Sequence, residues 1–563
     1  MNSLLRMLAA VFLLAAASCS VKQADSGALQ HELPERPNII LISAEDLSPR
    51  FGFMGDPVAR TPHLDTLAEQ SVIFTRTFTT AGVCAPARSA LITGVQQTTL
   101  GTMHMRTGTF GKDMDHGDPY EAVPPAEIKA FPELLRRAGY KTFNRQKTDY
   151  QFGDPFTIWD DDDKSRDWPD TAGAEPFFVM INFPTTHEGK TWPPETDLGL
   201  HPAVKGATAY NTRMDAEKKL PLTDPADVRI PAYWPDTPVV RENLARTYDN
   251  VALMDSEVGR LLERLEAEGR FEDSIIIFTT DHGDGLPRHK RTIFDSGTHV
   301  PLLVRFPNGY QAGERRGELV SFVDLAPTIL ALAKVHLPDW IQGRDLFGAP
   351  APDAIYAAGD RFDEVTQRFR GVREDRWHYI RYYSDAPVIP SLAYQNVNPI
   401  MREMRRLHAQ GKLTPLQASY LDAPAPREFL FDTHADPDEV NNLADDPNHA
   451  GTKARLAGRL EQWIEDTADL GRLDESDVRE RMWPAGSQPV TAKVEACRTS
   501  VNSVVLRSST PGASIGWGGE NGQRELFRIP LRLSEPFKTR AIRYGYKPSA
   551  IATIKPESLD RCA

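Results

Sequence analysis

Three near-continuous apolar runs limit how this chain can fold: residues 38–43, 177–183 and 274–280. A strand that alternates apolar and polar residues buries one face. These runs are apolar on both faces, as in the middle of a sheet covered by helices on each side. Helical spacing elsewhere supplies the covering layers and predicts helices over 61–69, 84–93, 126–139, 239–269, 321–333 and about 453–469. Residues 189–238, rich in Pro, Gly and charge, are expected to be surface loops. The expectation is an α/β chain, and 563 residues are enough for more than one domain.

Each run also ends on residues suited to chemistry. Glu45 and Asp46 follow the first, Pro184 to His187 the second, and Asp281 with His282 the third. In open α/β sheets ligands sit beyond such strand ends. Paired carboxylates there suit a hard divalent cation such as calcium. His282 is a nitrogen donor, so it is either a weaker ligand or an orienting group. His187 suits a general acid, because a histidine titrates near neutrality. Asp160 to Asp163 read as a solvated loop, since four consecutive acids point apart and repel one another.

A further stretch, Val83 to Gly94, follows the strand-like run 72–80. Cys84 would open a helix, Pro86 suits its first turn and Gly94 its stop. The helix N-terminus favours negative charge, and Arg88, four residues on, projects from the same face as Cys84. Cys84-Ala-Pro86-Ala-Arg88 followed by Ser89-Ala-Leu-Ile-Thr-Gly94 resembles the signature of type I sulfatases. That resemblance implies an alkaline-phosphatase-like mixed sheet with a smaller α+β C-terminal subdomain. It also implies one Ca2+ ion, and a formylglycine made from Cys84 by a sulfatase-maturing enzyme. Arg88, Lys147 and Lys290 would hold the sulfate, and His187 would contact the scissile ester oxygen.

In the same reading Glu45, Asp46, Asp281 and His282 are the metal candidates, with Glu45 where the family usually has aspartate. Asp149 stands in Lys147-Thr-Asp149-Tyr150 where many sulfatases carry histidine, and it is a candidate proton acceptor for sulfate release. His104, Arg106 and His289 are candidate substrate contacts. The resemblance covers most of 38–470 and implies a sulfated glycan as substrate. The alternatives are a phosphomonoester or phosphonate hydrolase of the same superfamily, or a silent glycan-binding lipoprotein.

At the N-terminus Arg6 precedes an apolar run over 7–17, too short for an ordinary membrane span. Ala16-Ala-Ser-Cys19 resembles a bacterial lipoprotein cleavage site, implying a lipid on Cys19 as membrane anchor; plain secretion is the other reading. Either reading places the chain in a bacterial cell envelope, as an outer-membrane lipoprotein or a periplasmic or secreted protein. The expected organisation is a signal segment 1–19, a tether 20–34, a catalytic domain 35–368, a subdomain 369–484 and a small β-sandwich 485–563. The last resembles the C-terminal β-domain of chitobiase-type hydrolases. Cys497 and Cys562 bracket it and could pair in an oxidising compartment. The formal charge, 65 minus 78 or −13, argues against nucleic-acid binding. An anionic substrate then needs a locally positive pocket, offered by Arg288-His289-Lys290-Arg291.

Overall fold

The computed structural model describes residues 33–107, 119–166, 168–171, 173, 176–217, 222–500, 503–523 and 525–562. The expected signal segment, most of the tether and Cys19 lie outside the described residues. Among the described residues no helix is long and apolar enough to cross a membrane.

The apolar runs become the middle of an eight-stranded sheet. Its strands are β1 (Asn38–Ala44), β2 (Ser71–Phe78), β3 (Lys141–Arg145), β4 (Phe177–Phe183), β5 (Ser274–Thr280), β6 (His299–Arg305) and the two-residue β7 (Arg315–Arg316) and β8 (Val320–Ser321). The order is β3-β4-β1-β5-β6-β2-β7, with β8 paired to β2. β3, β4, β1 and β5 are mutually parallel; β6 runs antiparallel to β5, and β2 antiparallel to β6. The exits of β1 to β5 and the approach to β6 therefore share one edge. That edge is where the site forms.

Helices α1 (Pro62–Glu69), α2 (Cys84–Thr93), α3 (Phe131–Arg137), α4 (Val204–Glu217), α5 (Pro238–Ala267) and α6 (Leu325–Leu332) belong to this half. The two-residue period of β1 divides the core between them. Ile39 and Leu41 join Leu91, Phe131, Phe178 and Ile329 on one face. Ile40 and Ile42 join Leu64, Val251, Met254 and Phe278 on the other.

Three expectations change. The helix expected over 126–139 begins only at Phe131, because Pro132 in its first turn has no N–H for the Ile128 carbonyl. The helix expected over 321–333 splits into a 3-10 turn, Phe322–Asp324, and α6, with Ser321 and Asp324 forming a capping box at the turn. The region expected to be loops contains α4, on a stretch without proline.

The C-terminal subdomain is an antiparallel sheet, order β12-β11-β10-β9, of β9 (Ala354–Phe362), β10 (Val365–Glu374), β11 (Trp377–Tyr382) and β12 (Glu428–Asp432). It starts at Ala354, upstream of the expected 369. Helix α7 (Ala450–Asp466) packs Leu456, Leu460 and Trp463 against Val372, Tyr379 and Leu430.

The last segment has two small antiparallel sheets, β13 (Glu495–Ser500) with β14 (Ser503–Arg507), and β15 (Ser514–Trp517), β16 (Glu525–Leu526), β17 (Phe537–Ile542) and β18 (Ala552–Ile554). Cys497 and Cys562 are bonded, as expected. Between β16 and β17, Leu531 makes only an isolated bridge to Val504. The segment docks on α3, where buried Glu133 accepts hydrogen bonds from Ser514 Oγ (2.6 Å) and Tyr544 OH (2.9 Å).

Candidate active site

Every strand end at the shared edge delivers one part of the site. Val83 caps α2 with extended backbone, so Cys84 is its first residue, fully buried. Its Sγ lies 3.2 Å from His282 Nε2 and 3.7 Å from Asp46 Oδ1. His282 Nδ1 faces the Gly283 carbonyl at 2.9 Å, which leaves Nε2 shared between Cys84 and Asp46, the latter at 3.0 Å. Of the two roles open to His282, orienting the side chain at position 84 fits this geometry. Burial opposes its charge, but Asp281 and Asp46 raise its pKa to about 10.

Asp46 is the hub of the site. Its left-handed backbone (φ 50°) turns the chain out of β1. Its N–H donates to Asp281 Oδ1 at 2.9 Å, and its Oδ2 accepts from Glu188 N–H at 2.8 Å and from Lys290 Nζ. Burial alone would raise this carboxyl; Lys290 and His282 instead hold it well below the usual range.

Glu45 accepts from Lys147 Nζ at 2.9 Å, and burial raises its pKa. Lys147 also lies 3.7 Å from Asp149 and 3.9 Å from Asp281. Burial opposes charge on Lys147, but Cys84 and these carboxylates keep it firmly protonated. Lys290 is likewise protonated despite burial, chiefly through Asp46.

Arg88 is held by Thr148 O (2.9 Å), Lys147 O (3.1 Å) and Asn182 Oδ1 (2.7 Å). Its Nη1 stands 3.9 Å from Asp281 Oδ2, beyond hydrogen-bond reach. Burial depresses the His187 pKa well below its usual value, and Gly189 N–H points at its Nδ1 (3.4 Å), so the neutral ring carries its proton on Nε2.

The carboxylates fit a hard cation. Ligand atoms of Asp46, Cys84, Asp281 and His282 lie within 4.8 Å of one another, and so do those of Glu45, Asp46 and His187. Asp281 Oδ2 is buried and has no hydrogen-bond partner, an arrangement that costs free energy unless a ligand completes it.

Three of the predicted contacts are placed differently from one another. His104 is buried, with Nδ1 accepting from Arg361 N–H (3.3 Å) and lying 4.0 Å from Glu475, which is a packing role. His289 is also engaged in packing: Nε2 meets Tyr233 OH (2.9 Å), Nδ1 meets Asp284 (3.1 Å), and the ring stacks on Trp234. Arg106 alone of the three stands beside the site, near Tyr394. The basic run 288–291 is no common pocket. Arg288 is stacked among Tyr233, Phe294 and Tyr420, Arg291 pairs with Glu188 and Asp363, and only Lys290 meets Asp46. Left-handed backbone at Arg288 and Arg291 turns these side chains apart.

Sequence reasoning missed Asn182, Glu188 and Tyr394. Asn182 receives Arg88 and donates to Arg145 O (2.8 Å) and Lys147 O (3.1 Å), fixing the loop after β3. Asn182, inside an otherwise apolar strand, was the signal for the first. Glu188, next to His187, binds Arg291 at 3.0 Å and 3.2 Å. Tyr394 comes from the C-terminal subdomain and carried no signal.

Comparison with known proteins gives the family. The family model described as sulfatase matches residues 37–335, and one described as N-sulphoglucosamine sulphohydrolase, C-terminal, matches 288–420. An ulvan-active sulfatase of Formosa agariphila is 36% identical, over 94% of this chain and 93% of that protein. Human N-sulphoglucosamine sulphohydrolase is 27% identical, over 77% of this chain and 90% of that protein. Among solved structures, BT4656 in complex with its substrate D-glucosamine-2-N,6-O-disulfate is alike in fold, with a TM-score of 0.53, 18% identity, and 77% and 98% of the two chains covered. A phosphonate monoester hydrolase of Agrobacterium radiobacter shares the fold at TM-score 0.50 and 19% identity, over 77% of this chain and 96% of that one. These two structures share the fold, and the family model together with the 36%-identical relative gives the family: the chain belongs to the sulfatase family of sulfuric ester hydrolases.

Proposed function

We propose that the chain removes sulfate from sulfated glycans, using a formylglycine made from Cys84 and one calcium ion held by Glu45, Asp46 and Asp281. The observation that carries this is the meeting of Cys84, three cationic side chains and the partnerless Asp281 Oδ2 at one sheet edge. When present, the formylglycine supplies a hydrated aldehyde as nucleophile, and the cation supplies positive charge beside it.

The chain's own residues do the rest. His282 orients position 84 and holds its proton. Lys147 and Lys290, both charged, with the Nη1 of Arg88, supply donors for sulfate oxygens in a largely buried site. Three anchoring hydrogen bonds keep the Arg88 guanidinium from reorganising when charge develops. His187 offers Nε2–H to the leaving oxygen, and Asp149, 3.7 Å from Lys147, would accept a proton as sulfate departs.

The glycan class rests on relatives whose names specify ulvan and N-sulphoglucosamine. The bonded Cys497–Cys562 pair supports an oxidising compartment, in keeping with a cell-envelope protein anchored by lipid on Cys19 and matured by a sulfatase-maturing enzyme. Sulfate and phosphate esters of the same sugar, assayed side by side on the matured protein, test the reaction. Sulfate release should dominate, and a clear phosphate preference would overturn the reading.

A further inference from the structure

Among the described residues, one guanidinium beside the site has no ion-pair partner. Arg106 has left-handed backbone (φ 56°) and is fastened from two sides. Its N–H donates to Gln151 Oε1 (3.0 Å), and the N–H of Met105 donates to Arg361 O (2.8 Å). Its guanidinium lies over the Tyr394 ring, 6.0 Å from the centroid, and the same ring is 6.5 Å from the His187 imidazole. Tyr394 thus bridges the proposed leaving-group position and Arg106.

Among the described residues no carboxylate lies within ion-pair distance of Arg106 and its guanidinium donates no hydrogen bond. The nearby acids are engaged elsewhere: Asp363 with Arg291, and Asp149 beside Lys147 at 3.7 Å. Burial opposes its charge, which Asp363 and Asp149 favour only from a distance, and its backbone is strained as well. Both costs make sense when the partner arrives with the substrate. A guanidinium fork matches two oxygens of one anion, and the Tyr394 face supports its charge.

We propose that Arg106, backed by Tyr394, is a second anion subsite, which receives a carboxylate or further sulfate on the sugar bearing the scissile ester or on its neighbour. It rests on the glycan-sulfatase reading above and names the feature that sets specificity.

The test compares wild type with Arg106→Ala and Arg106→Lys on four probes. These are 4-methylumbelliferyl sulfate, a sulfated uronate-containing oligosaccharide, the same oligosaccharide with its carboxyl reduced to alcohol, and a multiply sulfated oligosaccharide without uronate. Arg106→Ala should lower kcat/KM on the anion-bearing glycan by roughly 10- to 100-fold, mainly through KM, the usual weight of a hydrogen bond to a charged group. The aryl sulfate should be unaffected, and Arg106→Lys should recover part of the loss, because it keeps the charge without the fork.

If carboxyl reduction costs wild type the same factor and leaves Arg106→Ala unchanged, the anion is a carboxylate. If only the multiply sulfated probe shows the loss, it is a sulfate. Equal loss on all probes, aryl sulfate included, or no loss on any glycan, would overturn the subsite. A matured wild type that hydrolyses no sulfate ester would instead refute the function on which the subsite rests.

Discussion

Glu133 and Asp281 are both buried carboxylates in charged surroundings, and they differ in how far they are satisfied. Each Glu133 oxygen has two donors: Arg137 (2.8 Å) and Ser514 (2.6 Å) on one, Thr157 (2.7 Å) and Tyr544 (2.9 Å) on the other. Asp281 has one oxygen bonded to Asp46 N–H and one with no partner, its nearby cations Arg88 and Lys147 both held back at 3.9 Å. A network that is complete within the chain rigidifies it. One left incomplete keeps room for a ligand. Glu133 ties the last segment to the half that carries the site, and Asp281 keeps one oxygen open for the cation of the proposed function.

Substitutions should separate the two clusters by which property they damage. Cys84→Ala should lower sulfate release by roughly 10⁴-fold or more, the scale expected for a lost nucleophile, without weakening the fold. Asp281→Asn should reduce activity by roughly 100-fold or more while leaving the melting temperature in EDTA unchanged or higher, since it removes a buried carboxylate oxygen that no donor satisfies and keeps an acceptor for Asp46 N–H. Wild type should melt higher with calcium than with EDTA, by about 3 kcal/mol of stability at a hundredfold excess over Kd, and Asp281→Asn should not respond. A calcium response that survives Asp281→Asn would break the comparison.

Glu133→Ala should do the reverse. It should cost roughly 3 kcal/mol in denaturant unfolding, as breaking a buried ion pair does, and leave aryl-sulfate turnover nearly intact. The same cluster predicts acid sensitivity. Burial opposes ionisation of Glu133, but Lys129 and Arg137 and its hydrogen bonds depress its pKa from 4.5 to about 2. A depressed acid stabilises the fold above its unfolded value. That stability, roughly 3 kcal/mol, is lost as pH falls from about 4.5 towards about 2. Acid unfolding followed at several pH values should show this slope in wild type and lack it in Glu133→Ala.

The two regions were unequally legible in the sequence. The apolar runs announce β1, β4 and β5 because a strand buried on both faces leaves no polar alternation, and the residues just past their ends are the site. Proximity along the chain carried Glu45, Asp46, Asp281 and His282 together once the strands were parallel neighbours. The run 288–291 shows where adjacency misleads. Four consecutive basic or histidine residues divide between two surroundings, Arg288 and His289 meeting at Tyr233 and Lys290 and Arg291 at Glu188, because the loop backbone turns between them. Glu133 looked like one more acid on an amphipathic helix. Its partners Ser514 and Tyr544 lie 381 and 411 positions away, and no local pattern links them. Tyr394 was hidden for the same reason.

The central claim is that position 84 carries the nucleophile as formylglycine, and the mass of the tryptic peptide from Thr77 to Arg88, taken from protein made in its native host, tests it most directly. The account predicts an aldehyde in place of the thiol. An intact cysteine there would contradict it.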